Sequence, residues 1–120
     1  MKTIKLRAWN KEAKKYFEPA PRFNAMTISI TLNGEIIGHP NVGEVTSRYE
    51  LEQFTGLFDK NDNPIYEGDL VKYETGDPER PFVEEVVEFN EGAFYPVCMQ
   101  SSDLFETVGN IHENPELLKL

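Results

Sequence analysis

The chain reads as a mainly-β protein, and two observations carry that reading. Several segments alternate apolar and polar residues, which is the period of a half-buried strand. Between them lie short breaks rich in Gly, Asn, Asp and Pro, the residues that turns demand.

The alternation begins at once. Ile4-Lys5-Leu6-Arg7-Ala8-Trp9 switches between apolar and basic residues, and Tyr16-Phe17 follows a polar stretch, so a hairpin returning near Tyr16 is expected. A short helix over 10–17 is the competing expectation. Pro19 and Pro21 close the hairpin, because proline does not sit in a central strand. Met26 to Leu32 alternates without a break into Asn33-Gly34, a pair suited to a tight hairpin turn, and Glu35-Ile36-Ile37 returns. Gly38 to Gly43 reads as loop.

From Tyr49 onward the strand signals are dense. Tyr49, Leu51 and Gln53 alternate with Glu50, Glu52 and Phe54, and Gly56 bends the chain. Asp59 to Pro64 is predicted as a solvated Asx-rich turn. Leu70–Tyr73, Val83–Phe89, Ala93–Met99 and Glu106–Ile111 are predicted strands, with Asn90-Glu91-Gly92 as a hairpin turn and Thr75–Pro81 as an exposed loop. Asn114-Pro115 signals one helical turn through Leu118. Short strands at this spacing indicate a sandwich or a small barrel, with at least five strands between Tyr49 and Ile111. No repeat or linker divides the chain, so 120 residues form a single domain.

Charge is unevenly placed. The net charge is −9, yet residues 1–22 hold seven basic and two acidic side chains, net +5, and residues 23–120 hold five basic and nineteen acidic ones, net −14. An acidic body lacks the Lys and Arg that phosphate contacts require, so direct nucleic-acid binding is not expected. One cysteine cannot form an internal bridge, and Cys98 is expected as a buried thiol on a strand. No apolar run approaches a signal peptide or a membrane span, which points to the cytoplasm.

Candidate chemistry is sparse. Asp59-x-Asn61-x-Asn63 copies the first half of a calcium loop, but Pro64 stands where glycine turns the chain and Leu70 where a bidentate carboxylate is needed. His39 and His112 have no partner at ligand spacing and read as surface histidines. No metal or other cofactor and no catalytic residue is predicted. Arg7 and Trp9 are the candidate interface residues, since Arg and Trp anchor many interfaces, against the plainer reading that Trp9 caps the core edge.

Three ordered blocks resemble the YopX-like proteins encoded by phages and prophages. They are Leu6-Arg7-Ala8-Trp9-Asn10-Lys11; Phe54-Thr55-Gly56-Leu57-Phe58-Asp59-Lys60-Asn61 with Ile65-Tyr66-Glu67-Gly68-Asp69-Leu70-Val71; and Val108-Gly109-Asn110-Ile111-His112-Glu113-Asn114-Pro115-Glu116-Leu117. Residues 19–48 carry none of these blocks. The resemblance implies a partly open barrel of the Src-homology-3 (SH3-like) type over 49–120, with strands and hairpins added over 1–48. It also implies a mobile-element origin and the bacterial cytoplasm, and it carries no activity. In these blocks Gly56, Gly68, Asp69, Gly109 and Asn110 read as structural turn residues, because glycine admits sharp backbone angles and Asp or Asn can bond nearby N–H groups.

The function expected is a non-enzymatic protein-binding module, with a homo-oligomer or a host or phage protein as partner. A small enzyme using unrecognised carboxylates and an acidic DNA mimic acting on a host nucleic-acid-binding protein are the alternatives. Ile4, Leu6 and Trp9 form the apolar stripe that motivates self-association, since a lone short hairpin cannot bury it.

Overall fold

The computed structural model describes residues 5–17, 27–39 and 43–117. Among these the chain is mainly β, with short 3-10 turns and no α-helix. It divides into two compact units, Arg7–Leu51 and a larger one of Glu52–Leu120 together with Met1–Leu6.

β1 (Leu6–Asn10), whose residues from Arg7 onward belong to the smaller unit, and β2 (Lys15–Tyr16) pair antiparallel, with Trp9 opposite Tyr16. Asn10 makes the turn. Its Oδ1 accepts the backbone N–H groups of Glu12 and Ala13 at 3.0 Å, and Lys14 takes a φ of 55°. A side chain that satisfies its own turn removes the need for a helix, so the hairpin forms and a helix over 10–17 does not. The expectations for Pro19, Pro21 and Met26 lie outside the described residues.

β3 (Thr27–Ile30), β4 (Ile36–His39) and β5 (Gly43–Glu44) form a second antiparallel sheet. Its hairpin differs from the expected two-residue Asn-Gly turn. Ile30 opposes Ile36, Gly34 N–H donates to Thr31 C=O at 2.9 Å, and only Gly34, at φ 85°, is left-handed. That is a turn with a following glycine bulge, a geometry that needs one positive φ where the tighter turn needs two. The loop expected over 38–43 is also shorter. Gly38 and His39 belong to β4, and Gly38 opposes Gly43. Ala8, Ile36, Val45 and Tyr49 form this unit's core, with Phe17, Ile28 and Leu51 against it.

The larger unit holds the rest of β6 (Tyr49–Phe58), then β7 (Pro64–Tyr66), β8 (Asp69–Glu74), β9 (Phe82–Val86), β10 (Glu88–Asn90), β11 (Ala93–Tyr95) and β12 (Glu106–Asn110). They make the small, partly open SH3-like barrel, a curled half-barrel whose ladders are β6-β7, β12-β8-β9 and β10-β11. β6 and β7 slip register between Phe54 and Phe58, where Gly56 takes a φ of 87°. β8 is central, so Leu70 and Val71 are both buried although they face opposite ways. Val71 joins Ile65, Val87, Val97 and Phe105 in the core, and burying each such side chain stabilises the fold by about 1.5–3 kcal/mol.

Three expectations are corrected here. The strand expected over 83–89 breaks at buried Val87, whose N–H turns to Asp69 C=O at 2.8 Å. The one expected over 93–99 ends at Tyr95, because Pro96 lacks a ladder donor and starts a turn, so Cys98 is exposed rather than buried. The two-residue turn falls instead at Glu91-Gly92, both at positive φ, between Asn90 and Ala93. A 3-10 turn over Pro115–Leu117 follows Asn114, and Leu118 lies outside the described residues.

Candidate functional site

Two features of the larger unit combine polar chemistry with defined geometry. The first is where β8 begins and β12 ends. Asn110 opposes Asp69, Gly109 opposes Leu70, and Ile111 N–H donates to Gly68 C=O at 3.0 Å. Asp69, 3% exposed, accepts the Tyr66 N–H on Oδ2 at 2.8 Å. Asn110 then folds the chain over. Its Oδ1 accepts the N–H groups of His112 at 3.0 Å and Glu113 at 2.8 Å, and its Nδ2 donates to Glu113 Oε1 at 2.7 Å.

This turn presents His112 to the buried carboxylate of Glu52, with Nε2 3.1 Å from Oε2. His112 does not end a strand as an ordinary surface side chain; its side chain is 12% exposed and that of Glu52 4%. Gly68, at φ 89°, lies under the pair: a Cβ there would overlap Glu52 Oε2 and reach its carboxyl carbon at 3.0 Å. Gly109 meets the same restriction against Asn114, whose Cγ lies 2.8 Å from the place of a Cβ. A carboxylate beside an imidazole can hold or pass a proton. Here the pair is packed between strands and lines no part of the cleft described next.

The second feature is an open cleft of about 690 Å³ between the distal ends of β8 and β9 and the segment leading into β12. Phe82 and Leu104 stand at it, 51% and 56% exposed. Lys72 lies over the Phe82 ring at 4.7 Å, and Lys60 pairs with Glu106 at 3.3 Å. Exposed apolar side chains among charges of both signs suit a surface that covers a partner, since a partner would exclude water from the rings.

The Asp59 turn closes off another chemistry. Asp59 is 2% exposed, so the turn is not fully solvated as expected. Its Oδ1 accepts the N–H groups of Asn61 and Asn63, and Oδ2 that of Thr107, all at 2.9 Å. Burial alone would raise the carboxyl's pKa; the N–H groups of Thr107, Asn63 and Asn61 outweigh burial and hold it below the ordinary carboxylate value. The carboxylate serves the fold, tying the turn to β12. Among the described residues no group of three or more His, Cys, Asp or Glu side chains is placed to hold a metal.

The family model for the YopX protein matches residues 5–119. The chain belongs to the YopX family. Its structure is similar to protein EF1440 from Enterococcus faecalis, with a TM-score of 0.63 and 25% identity over 98% of this chain and 99% of that one. It is also similar to yopX from Bacillus subtilis, with a TM-score of 0.58 and 22% identity over 100% of this chain and 98% of that one. No curated protein matches it.

The YopX blocks converge in part. Gly68 and Asp69 of the central block meet Gly109 and Asn110 of the closing block across the β8–β12 ladder, while Gly56 lies apart at the β6 bend. Arg7 and Trp9 sit in the smaller unit. Trp9 is 7% exposed and meets Tyr16 edge-on at 4.9 Å, and the Arg7 guanidinium lies 4.6 Å from the centre of the Tyr16 ring. Glu52, Phe82 and Leu104 were not singled out by sequence. Alternation placed Glu52 with exposed Glu50, and nothing local links it to a histidine 60 residues away.

Proposed function

We propose that this YopX-family chain is a non-enzymatic accessory protein of phage or prophage origin. It works in the bacterial cytoplasm by binding another protein. The observation that supports this reading is the cleft where exposed Phe82 and Leu104 stand beside Lys72 and the Lys60–Glu106 pair. Large apolar side chains in water cost free energy that a covering partner recovers. The test is affinity capture from lysogenic cells with the native chain and with a Phe82→Ser, Leu104→Ser variant of matched melting temperature. A protein held in near-equal amount by the native chain and lost by the variant is the expected result; equal capture by both, or by neither, rejects the reading.

The charge division, net +5 over residues 1–22 against net −14 over the rest, favours a second reading in which the partner is another copy. Light scattering at high concentration and low salt tests it, and a monomer under those conditions rejects it. Trp9 gives that reading no exposed anchor, because it is buried in its own unit.

A further inference from the structure

β9 is the edge of its sheet. Its inner side pairs with β8 from Leu70–Val86 to Glu74–Phe82, and among the described residues no strand pairs with its outer side. Two hydrogen bonds set the phase of the ladder. Val87 N–H donates to Asp69 C=O at 2.8 Å, and Thr75 N–H donates to Pro81 C=O at 3.1 Å. Bonded and non-bonded pairs alternate in an antiparallel ladder, so Val83 and Glu85 face β8 with their backbone groups. Phe82, Glu84 and Val86 turn their N–H and C=O groups outward.

The side chains along this edge are equally specific. Phe82 and Glu84 are exposed and share one face, while Glu85 on the other face accepts the Tyr73 hydroxyl at 2.7 Å. Residues 74–91 carry seven acidic side chains and one basic one, Arg80. Two copies pairing edge to edge would bring these acidic rows together, which disfavours self-pairing. A strand bearing Lys or Arg meets no such penalty.

We infer that the outer edge of β9 takes an extended strand from a partner protein that carries an apolar and a basic residue two positions apart, and so on one face. Its backbone bonds Phe82, Glu84 and Val86, an apolar side chain covers the Phe82 ring at the cleft, and a basic one meets Glu84. This rests on the protein-binding reading above and adds the chemistry of the partner. The basic strand of the chain itself is already engaged: Lys5 C=O accepts the Phe54 N–H at 2.9 Å, and Trp9 and Asn10 pair with Tyr16 and Lys15.

The probe is a short capped peptide with Val and Lys two positions apart and Thr between them, titrated into the full ¹⁵N-labelled chain beside its Glu-for-Lys counterpart. The amides of Phe82, Glu84 and Val86 should shift, with the Lys peptide bound at least about tenfold tighter than the Glu peptide. Glu84→Pro, which removes an outward N–H and leaves the β8 ladder whole, should abolish binding without unfolding the chain. Should that variant fail to fold, N-methylation of the peptide's edge-facing amides interrupts the same bonds with the native protein, and it too should abolish binding. Equal binding of the two peptides, shifts confined to other residues, or undiminished binding of the N-methylated peptide would overturn the inference. So would concentration-dependent shifts of these three amides in the chain alone, since the occupant would then be a second copy. Loss of peptide binding alongside partner capture that still depends on Phe82 and Leu104 would reject this strand and leave the binding module standing.

Discussion

His112 Nε2 lies 3.1 Å from Glu52 Oε2, and that carboxylate fills the space in which a side chain on Gly68 would begin. Three segments far apart in sequence therefore depend on one another. Gly68→Val should cost at least about 3 kcal/mol, from the left-handed backbone and from displacing a buried carboxylate. Asp62→Ala should cost about 1 kcal/mol at most, because Asp62 is exposed and only its φ of 63° resists alanine. Chemical denaturation of the two variants compares them, and equal midpoints would remove Gly68 from the determinants of this fold.

The same geometry predicts coupling. In Gly68→Ala the added methyl meets Glu52, so Glu52→Ala in the same chain should lift the steric part of the penalty while the backbone part persists. A double-mutant cycle should return an interaction energy of about 1 kcal/mol or more in the compensating direction. Strict additivity would mean that Glu52 moves aside at no cost.

Asp59 makes acid stability informative. Its carboxyl titrates below the ordinary value in the folded chain because three backbone N–H groups hold the charged form. The stability it contributes is therefore full above its unfolded pKa of about 3.9 and is lost as pH falls through the lower folded value. Asp59→Ala leaves those N–H groups unpaired and should cost on the order of 3 kcal/mol at neutral pH. The gap between native and variant should narrow in acid, and melting curves at neutral pH and near pH 3 measure it.

Tyr73 titrates at the other extreme. Burial, followed by the hydrogen bond and the charge of Glu85, pushes its pKa up to about 12. Its contribution to stability is present below the unfolded value of about 10 and is lost as pH rises through the folded one. Ultraviolet titration of the five tyrosines should show a last step near pH 12 that Tyr73→Phe removes. A native curve without that step would separate Tyr73 from Glu85 in solution.

Calcium at millimolar and zinc at micromolar concentration should leave the melting temperature unchanged. The Asp59 oxygens already accept N–H groups, and Pro64 and Leu70 occupy positions that a calcium loop gives to glycine and a carboxylate. A ligand of the native state must raise the melting temperature, so a reproducible rise with either ion contradicts this account.

Much of the backbone was legible locally. Alternation marked the paired strands because side-chain direction has a period of two whatever the neighbours are. Gly56 and Gly68 announced positive φ because few other residues tolerate it. The errors came where a local preference admits two outcomes: Asn33-Gly34 suits a tight turn, but Ile30 opposite Ile36 set a longer one. Alternation likewise placed Glu52 on a polar face.

Tertiary structure alone decided which polar groups are buried and which apolar ones are not. Asp59 is enclosed because Thr107 N–H, 48 residues away, reaches its carboxylate, and Glu52 is enclosed beside His112. Trp9 is buried in a unit whose core includes Ile36 and Tyr49, although its own hairpin cannot cover it. Phe82 stays exposed because β9 pairs on one side only. The reason is common to all four. A residue's backbone preference is carried by itself and its neighbours, whereas burial depends on partners that the fold supplies from distant parts of the chain.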